Sequence, residues 1–452
     1  MRAEVGLRSS PASRRDAPRG RALLIAGTAV AAVAAIAYLV AVATHPMAAM
    51  LKGFDLQVYT GGGQQALHHS DNLFTWHYEN HPGIQFTYTP FAALLFAVAS
   101  VLPFHALMVA AALVSTFALA ATVWIAFREL GWQPAARTGA TLLVAGLVFW
   151  TEPVQRALFL GQIELVLMAL VVWDLCQPDR RRLKGAMTGI AAGIKLVPLL
   201  FILYLLITRR FRQAAVAAGA FVVTVIIGFI VLPKPSTTWW FGGDFFQASR
   251  TGFVGEEANQ SLQGILTRLA GSVSGGEAPW YIVAVIVAVV GLAAAALLHQ
   301  SGRTFAGLMA CALTALLVSP ISWDHHWVWI APGLALIIDA AVRAATTAAR
   351  AGWLALAGVV LVVYGGWPDF WSRKAGLLQG GLINYAPSSS FAHGDNQAYP
   401  EYHWHGLQLL AGNLYVLGGI GLFLVVVVTA VRLRATAPPA DTRGRSPARR
   451  TG

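Results

Sequence analysis

Asp55 lies in the stretch Gly53-Phe54-Asp55-Leu56-Gln57-Val58-Tyr59, about a dozen residues beyond an apolar run that ends near residue 43. A carboxylate just outside a membrane stays ionised and can take a proton from a hydroxyl, the task of a general base. Asp is equally favoured as a helix N-cap, so the residue type leaves both roles open. Gly161-Gln162-Ile163-Glu164 opens a later apolar segment on the same side, with Glu152 before it. Glu164 is either a second carboxylate over a shared cavity or a first-turn residue stabilised by the helix dipole.

The densest polar patch is Ser319-Pro320-Ile321-Ser322-Trp323-Asp324-His325-His326-Trp327. Its adjacent histidines, flanked by Asp and Trp, offer donors to an anion such as a phosphate, or ligands to a metal if carboxylates converge from elsewhere. Neighbouring residues of a helix point about 100° apart, so both rings reach one ion only if the turn is irregular. A histidine satisfied at the membrane interface explains the same letters. Asn259-Gln260-Ser261-Leu262-Gln263-Gly264, followed by Arg268, sits where a loop returns toward the membrane. Amides suit sugar hydroxyls and a guanidinium suits phosphate, while a polar helix cap would use the same residues. Lys195, in Gly193-Ile194-Lys195-Leu196-Val197-Pro198, stands inside an apolar hairpin. A charge there is a functional candidate by default unless its stem snorkels to the headgroups.

The elements that must position these residues are membrane helices. Of 452 residues 57% are hydrophobic and only 12% charged, about half the roughly 25% charged residues of soluble domains, which excludes a soluble enzyme. Cys176 and Cys311 each lie in an apolar run, so neither a disulfide framework nor a cysteine metal site is available. Apolar runs of spanning length occupy roughly residues 21–43, 105–127, 158–176, 213–232, 280–299 and 407–431. Shorter ones fill 138–151, 304–319, 326–341 and 352–366. The 21–43 run is too long for a signal h-region and reads as an uncleaved anchor. No internal repeat is evident, which argues against a transporter of inverted halves.

Basic residues sort to the cytoplasmic side and so test the topology. With the N-terminus inside, 86–103 held in an outer loop and 186–207 folded as a hairpin of half-helices, 24 of the 32 Lys and Arg fall inside and seven outside, with Lys195 in the hairpin. Thirteen of the 20 acidic residues fall outside. The net charge of +12 is therefore a topology signal, and polar chemistry has gathered on the outer face. Outer loops are expected at 44–104, 233–279, 319–326 and 367–406, the first and last aromatic-rich and folded over the bilayer surface.

Taken in order, GFDLQVY, FTYTP (Phe86 to Pro90), GQIE, GIKLVP, NQSLQG and above all SPISWDHHW resemble glycosyltransferase family 87, integral-membrane enzymes of the GT-C superfamily found largely in actinobacteria. The resemblance spans about residues 21–431. It implies an all-α, polytopic GT-C fold of about 10–12 transmembrane helices with long periplasmic loops, between disordered cytoplasmic tails at 1–20 and 432–452. It implies a multi-pass protein of the cell membrane with its active site on the periplasmic face. The implied reaction is inverting transfer of a sugar, most often mannose, from a polyprenyl phosphate donor to a lipid-anchored glycan acceptor as an α-(1→2) linkage. Typical products are phosphatidylinositol mannosides, lipomannan and lipoarabinomannan.

Asp55 matches the family's proposed base, and His325 or His326, with Arg268, would offset charge on the departing phosphate. Tyr59, Gln162, Glu164, Asn259, Gln260, Trp323 and Asp324 are expected to meet the substrates. No nucleic-acid partner is expected, because the positive charge sorts as a topology signal, and no nucleotide or other cofactor, because Gly61-Gly62-Gly63 lacks the Lys and helix of a phosphate-binding loop. No metal is expected either, since no outer D-x-D pair accompanies Asp55. A polyprenyl-phosphoarabinose-dependent arabinofuranosyltransferase is the nearest alternative, and a lipid-linked sugar flippase a more distant one.

Overall fold

Long apolar runs fold as single helices, because in hydrocarbon a backbone must satisfy its own hydrogen bonds. The computed structural model describes residues 11–44, 50–78, 84–247, 250, 252–367, 380–387 and 399–436. Among them six segments are long and apolar enough to cross a membrane: Gly20–Thr44, Phe104–Glu129, Phe211–Val231, Val273–Gln300, Asp324–Arg343 and Leu414–Ala435. Shorter apolar helices, Pro90–Ala99, Pro134–Phe149, Thr304–Val318 and Thr347–Val363, complete the bundle. Their outward faces carry exposed aliphatic side chains such as Ile25, Val33, Ile36, Ile282, Val285 and Val289, as a lipid-facing surface requires. The protein is an all-α, multi-pass membrane protein.

Two interruptions shape the interior. The 186–207 segment is two nine-residue helices, Ala186–Ile194 and Leu199–Ile207, separated at Lys195–Pro198 as the hairpin expectation has it. Pro198 lacks the N–H that would continue the first helix and disfavours helical geometry in the residue before it. The second interruption lies within the 158–176 run, which is not one straight helix: Glu152–Leu160 and Glu164–Leu175 meet at 114° around Gly161–Ile163. Hydropathy cannot show this, because both arms of the corner are apolar.

Residues 1–10 and 437–452 lie outside the described residues. Within the expected tails, the first helix already begins at Pro11 and the last runs to Ala435. Of the expected fourth outer loop, 368–379 and 388–398 lie outside the described residues.

Candidate active site

The site is assembled first by two glycines. Gly53 takes φ 64° as N-cap of the helix Phe54–His68, and its N–H donates to the Phe159 carbonyl at 2.8 Å. Gly161 takes φ 72° at the 114° corner, where a Cβ would lie 2.8 Å from Cβ of Leu56 and 3.5 Å from Cα of Gly53. Left-handed backbone and close approach together call for glycine at the corner. The contact lays Asp55 against Gln162, whose Nε2 donates to Asp55 Oδ2 at 2.5 Å. Asp55 is therefore not the N-cap; Gly53 is, and no side chain caps that end.

A chain of hydrogen bonds continues from Gln162. The Tyr59 hydroxyl donates to Gln162 Oε1 at 2.5 Å and lies 2.7 Å from the Tyr88 hydroxyl. With its one proton committed to Gln162, Tyr59 accepts from Tyr88, whose oxygen then accepts from Lys195 Nζ at 3.4 Å. Thr89 fixes the far end, accepting from the Ala92 N–H at 3.1 Å to cap the helix Pro90–Ala99 and donating to the Gly193 carbonyl two residues before Lys195.

The Ser319–Trp327 stretch meets this chain from the other side. A 3₁₀ turn, Asp324–Trp329, leads into the helix Ile330–Arg343 and supplies the irregular geometry that lets adjacent histidines share a site. Their rings stand 4.8 Å apart and nearly perpendicular, at 89°. His325 Nδ1 lies 3.0 Å from Asp324 Oδ1, which also accepts the His325 backbone N–H at 2.6 Å. That leaves His325 Nε2 buried and without a hydrogen-bond partner among the described residues. Arg156 Nε stands 3.8 Å from Asp324 Oδ2.

His326 Nε2 lies 3.0 Å from Lys195 Nζ and 3.2 Å from Glu164 Oε1, and Lys195 also donates to Glu164. An ammonium has donors only, so His326 Nε2 is its acceptor. Glu164, His325 and His326 each bring one ligand-type atom within 4.8 Å of the others.

These groups surround a cavity of about 340 Å³. Desolvation in its wall raises the Asp55 carboxyl above the ordinary carboxylate range, with His325 and the Gln162 amide pulling it back and Glu164 adding to the rise. Burial likewise pushes the Tyr59 and Tyr88 phenols well up, so both remain protonated donors.

Of the residues expected at the site, Asp55, Tyr59, Gln162, Trp323, Asp324, His325 and His326 line the cavity. Glu164 lies behind it, in the wall of a small adjoining crevice. Asn259, Gln260 and Arg268, expected to meet the substrates, do not line this cavity. All three are buried, and their hydrogen bonds are consumed by the protein. Asn259 donates to the Val254 and Pro320 carbonyls and accepts the Ser322 N–H at 2.9 Å. Gln260 donates to the Glu257 and Gly412 carbonyls and accepts from the Tyr415 and Val416 N–H groups. Arg268 donates to the carbonyls of Gly255, Glu256 and Asn259 and to Asn413 Oδ1. Together they clamp the turn that carries His325 to the start of the last helix.

The cavity also recruits Arg156, Tyr88, Trp239, Arg250 and Glu256, which the sequence reading left out of the site, and Lys195, which it named a functional candidate without assigning it a substrate. Tyr88 had a signal within FTYTP, and Lys195 in its solitary charge; Arg156 and Arg250 carried none beyond their outer-side positions.

With this geometry in view, the comparisons with known proteins are decisive. A profile of glycosyltransferase family 87 matches residues 86–320, more than half of the chain. The chain belongs to glycosyltransferase family 87. This family 87 protein is 31% identical, over 73% of its length and 78% of the relative, to the polyprenol-phosphate-mannose-dependent alpha-(1-2)-phosphatidylinositol pentamannoside mannosyltransferase of Mycobacterium tuberculosis. The protein of the same name from Mycolicibacterium smegmatis is 32% identical over 73% of this chain and 81% of the relative. A polyprenol-phosphate-mannose-dependent alpha-(1-2)-phosphatidylinositol mannoside mannosyltransferase of M. tuberculosis is 32% identical over 62% of this chain and 67% of the relative. No solved structure matches the family 87 chain.

Proposed function

We propose that this protein transfers mannose from a polyprenyl phosphate donor to a lipid-anchored mannoside acceptor, forming an α-(1→2) bond on the periplasmic face of the cell membrane. The observation that carries the reading is Asp55: a carboxylate held by Gln162 in the wall of the cavity that His325 also lines, in a chain 31% identical to a polyprenol-phosphate-mannose-dependent mannosyltransferase. A β-linked mannosyl phosphate gives an α-mannoside by one in-line displacement, so one base and one phosphate-stabilising group suffice. Asp55 takes the proton of the acceptor hydroxyl as that oxygen attacks the anomeric carbon. The C–O bond to phosphate breaks, and its electron pair leaves on the lipid phosphate. His325, fixed through Nδ1 by Asp324, presents Nε2 to the reacting groups. The phosphate is a stable anion, so it needs charge compensation more than a proton.

The test uses purified full-length protein in lipid nanodiscs with labelled polyprenyl phosphomannose or polyprenyl phosphoarabinose and a phosphatidylinositol mannoside acceptor. The expected result is α-(1→2)-mannosylation with the first donor. Transfer of arabinose alone, or donor translocation without transfer, would overturn the reading.

A further inference from the structure

Glu164, His325 and His326 have the composition and spacing of a divalent-metal site, yet an amino group already stands among them. Lys195 Nζ donates to Glu164 and lies 3.0 Å from His326 Nε2. We propose that the Lys195 ammonium, seated where Glu164 and His326 converge, is the fixed cation that receives the departing polyprenyl phosphate. This rests on the transfer reaction above and assigns its leaving-group side.

Three observations carry it. The first is donor arithmetic. An ammonium has three N–H bonds; one goes to Glu164, one to His326, and the third has only the Tyr88 hydroxyl at 3.4 Å. Since Lys195 is part of the cavity wall, that third donor is the one a phosphate oxygen would take.

The second is the local field. Lys195 is the C-cap of Ala186–Ile194, and Glu164 is the first residue of Glu164–Leu175, so each charge sits at the helix end whose dipole favours it. The pair is stable without substrate, and the ammonium is positioned before the reaction begins. Such preorganised charge stabilises a transition state without reorganisation at the moment of bond breaking.

The third is amphipathic matching. Glu164, Lys195 and His326 also border a crevice of about 50 Å³ whose other walls include Leu167, Met168, Val171, Phe201 and Leu316. Lys195, Val197 and His326 thus form the boundary between the cavity that holds the carboxylate and histidine groups and a crevice walled mainly by aliphatic and aromatic side chains. A polyprenyl phosphate has the same boundary one atom beyond its phosphate, so its phosphate belongs at Lys195 with the first carbons of the chain in the crevice.

In the reaction the anomeric C–O bond breaks and polyprenyl phosphate gains a second negative charge. Lys195 donates an N–H to that phosphate and keeps its proton, while the acceptor's proton goes to Asp55.

The experiment measures polyprenyl phosphate binding, with no sugar attached, together with turnover, in wild type, Lys195→Met and Lys195→Met/Glu164→Gln. The expected result for Lys195→Met is at least a tenfold loss of polyprenyl phosphate affinity and a kcat lower by roughly 10². The double variant removes the buried Glu164 charge together with its partner, so it folds even where the single variant does not, and it is expected to show the same losses. Recovery of affinity and kcat to within twofold in the double variant would make Lys195 a structural partner of Glu164 only. Full chelator sensitivity of wild-type turnover, restored by a divalent cation, would equally overturn the proposal. Because binding of the sugar-free lipid is read separately, failure of the mannose assignment leaves this test intact.

Discussion

Two buried polar clusters meet at the Ser319–Trp327 stretch and differ in one respect. In the cluster of Asn259, Gln260 and Arg268 the two amides and the guanidinium are saturated by backbone carbonyls, backbone N–H groups and Asn413. In the Asp55–His326 cluster the chain of bonds ends on open atoms: His325 Nε2, Glu164 Oε2 and Arg156 Nε have no hydrogen-bond partner among the described residues. Unsatisfied buried polar atoms are expensive, and native proteins keep them where something else will bind. The difference separates a scaffold from a reactive wall, although both are written in the same polar alphabet.

The comparison breaks most sharply at Asp55. Asp55→Asn should lower kcat by about 10²- to 10⁴-fold with the thermal midpoint of the purified protein unchanged, since the amide preserves shape and removes only the base. A loss of under tenfold would move the base elsewhere. Arg268→Met should do the reverse. It strands the carbonyls of Glu256 and Asn259 and should cost on the order of 3 kcal/mol of stability, seen as a lowered unfolding midpoint, while kcat per folded molecule stays within about threefold.

Gly161→Ala tests the junction of the two regions. It adds a Cβ 2.8 Å from Leu56 at φ 72° and so must part Asp55 from Gln162; kcat should fall about tenfold with donor KM little changed. The smallest effect is on pH. As the proposed base Asp55 must be ionised, and its pKa is raised, so activity should be lost as pH falls through that value, at a higher pH than for an ordinary carboxylate near about 4. The Gln162 amide favours the anion, so Gln162→Leu should shift the acid limb of kcat/KM further upward. A downward shift would mean that Gln162 does not act on the ionised form.

What the chain discloses by itself follows from the range of each interaction. Hydropathy and the Lys and Arg partition act locally along the sequence, so the membrane class and the Pro198 break were legible. The corner at Gly161–Ile163 was not, because a glycine between two apolar arms reads as a continuous span. Asp55 and the His325/His326 turn were legible as reactive types. That Asn259, Gln260 and Arg268 bond to the protein itself was not legible for a physical reason: a group suited to a sugar or a phosphate is equally suited to a peptide carbonyl. Only the tertiary structure shows which partner it found. Arg156 was missed for the opposite reason, since an arginine in a loop count carries no sign of facing Asp324.

The nine-residue helix Ala186–Ile194 rises only about 14 Å before it ends at Lys195, less than half of a hydrocarbon layer of about 30 Å. If the donor's phosphate descends to that level, its isoprenoid chain never leaves oil, and the roughly 0.8 kcal/mol per methylene that extraction would require does not arise. The depth of one lysine then makes bilayer thickness a variable of the enzyme. Turnover measured in nanodiscs of increasing acyl length should pass through an optimum set by the fit between that fixed depth and the leaflet around it.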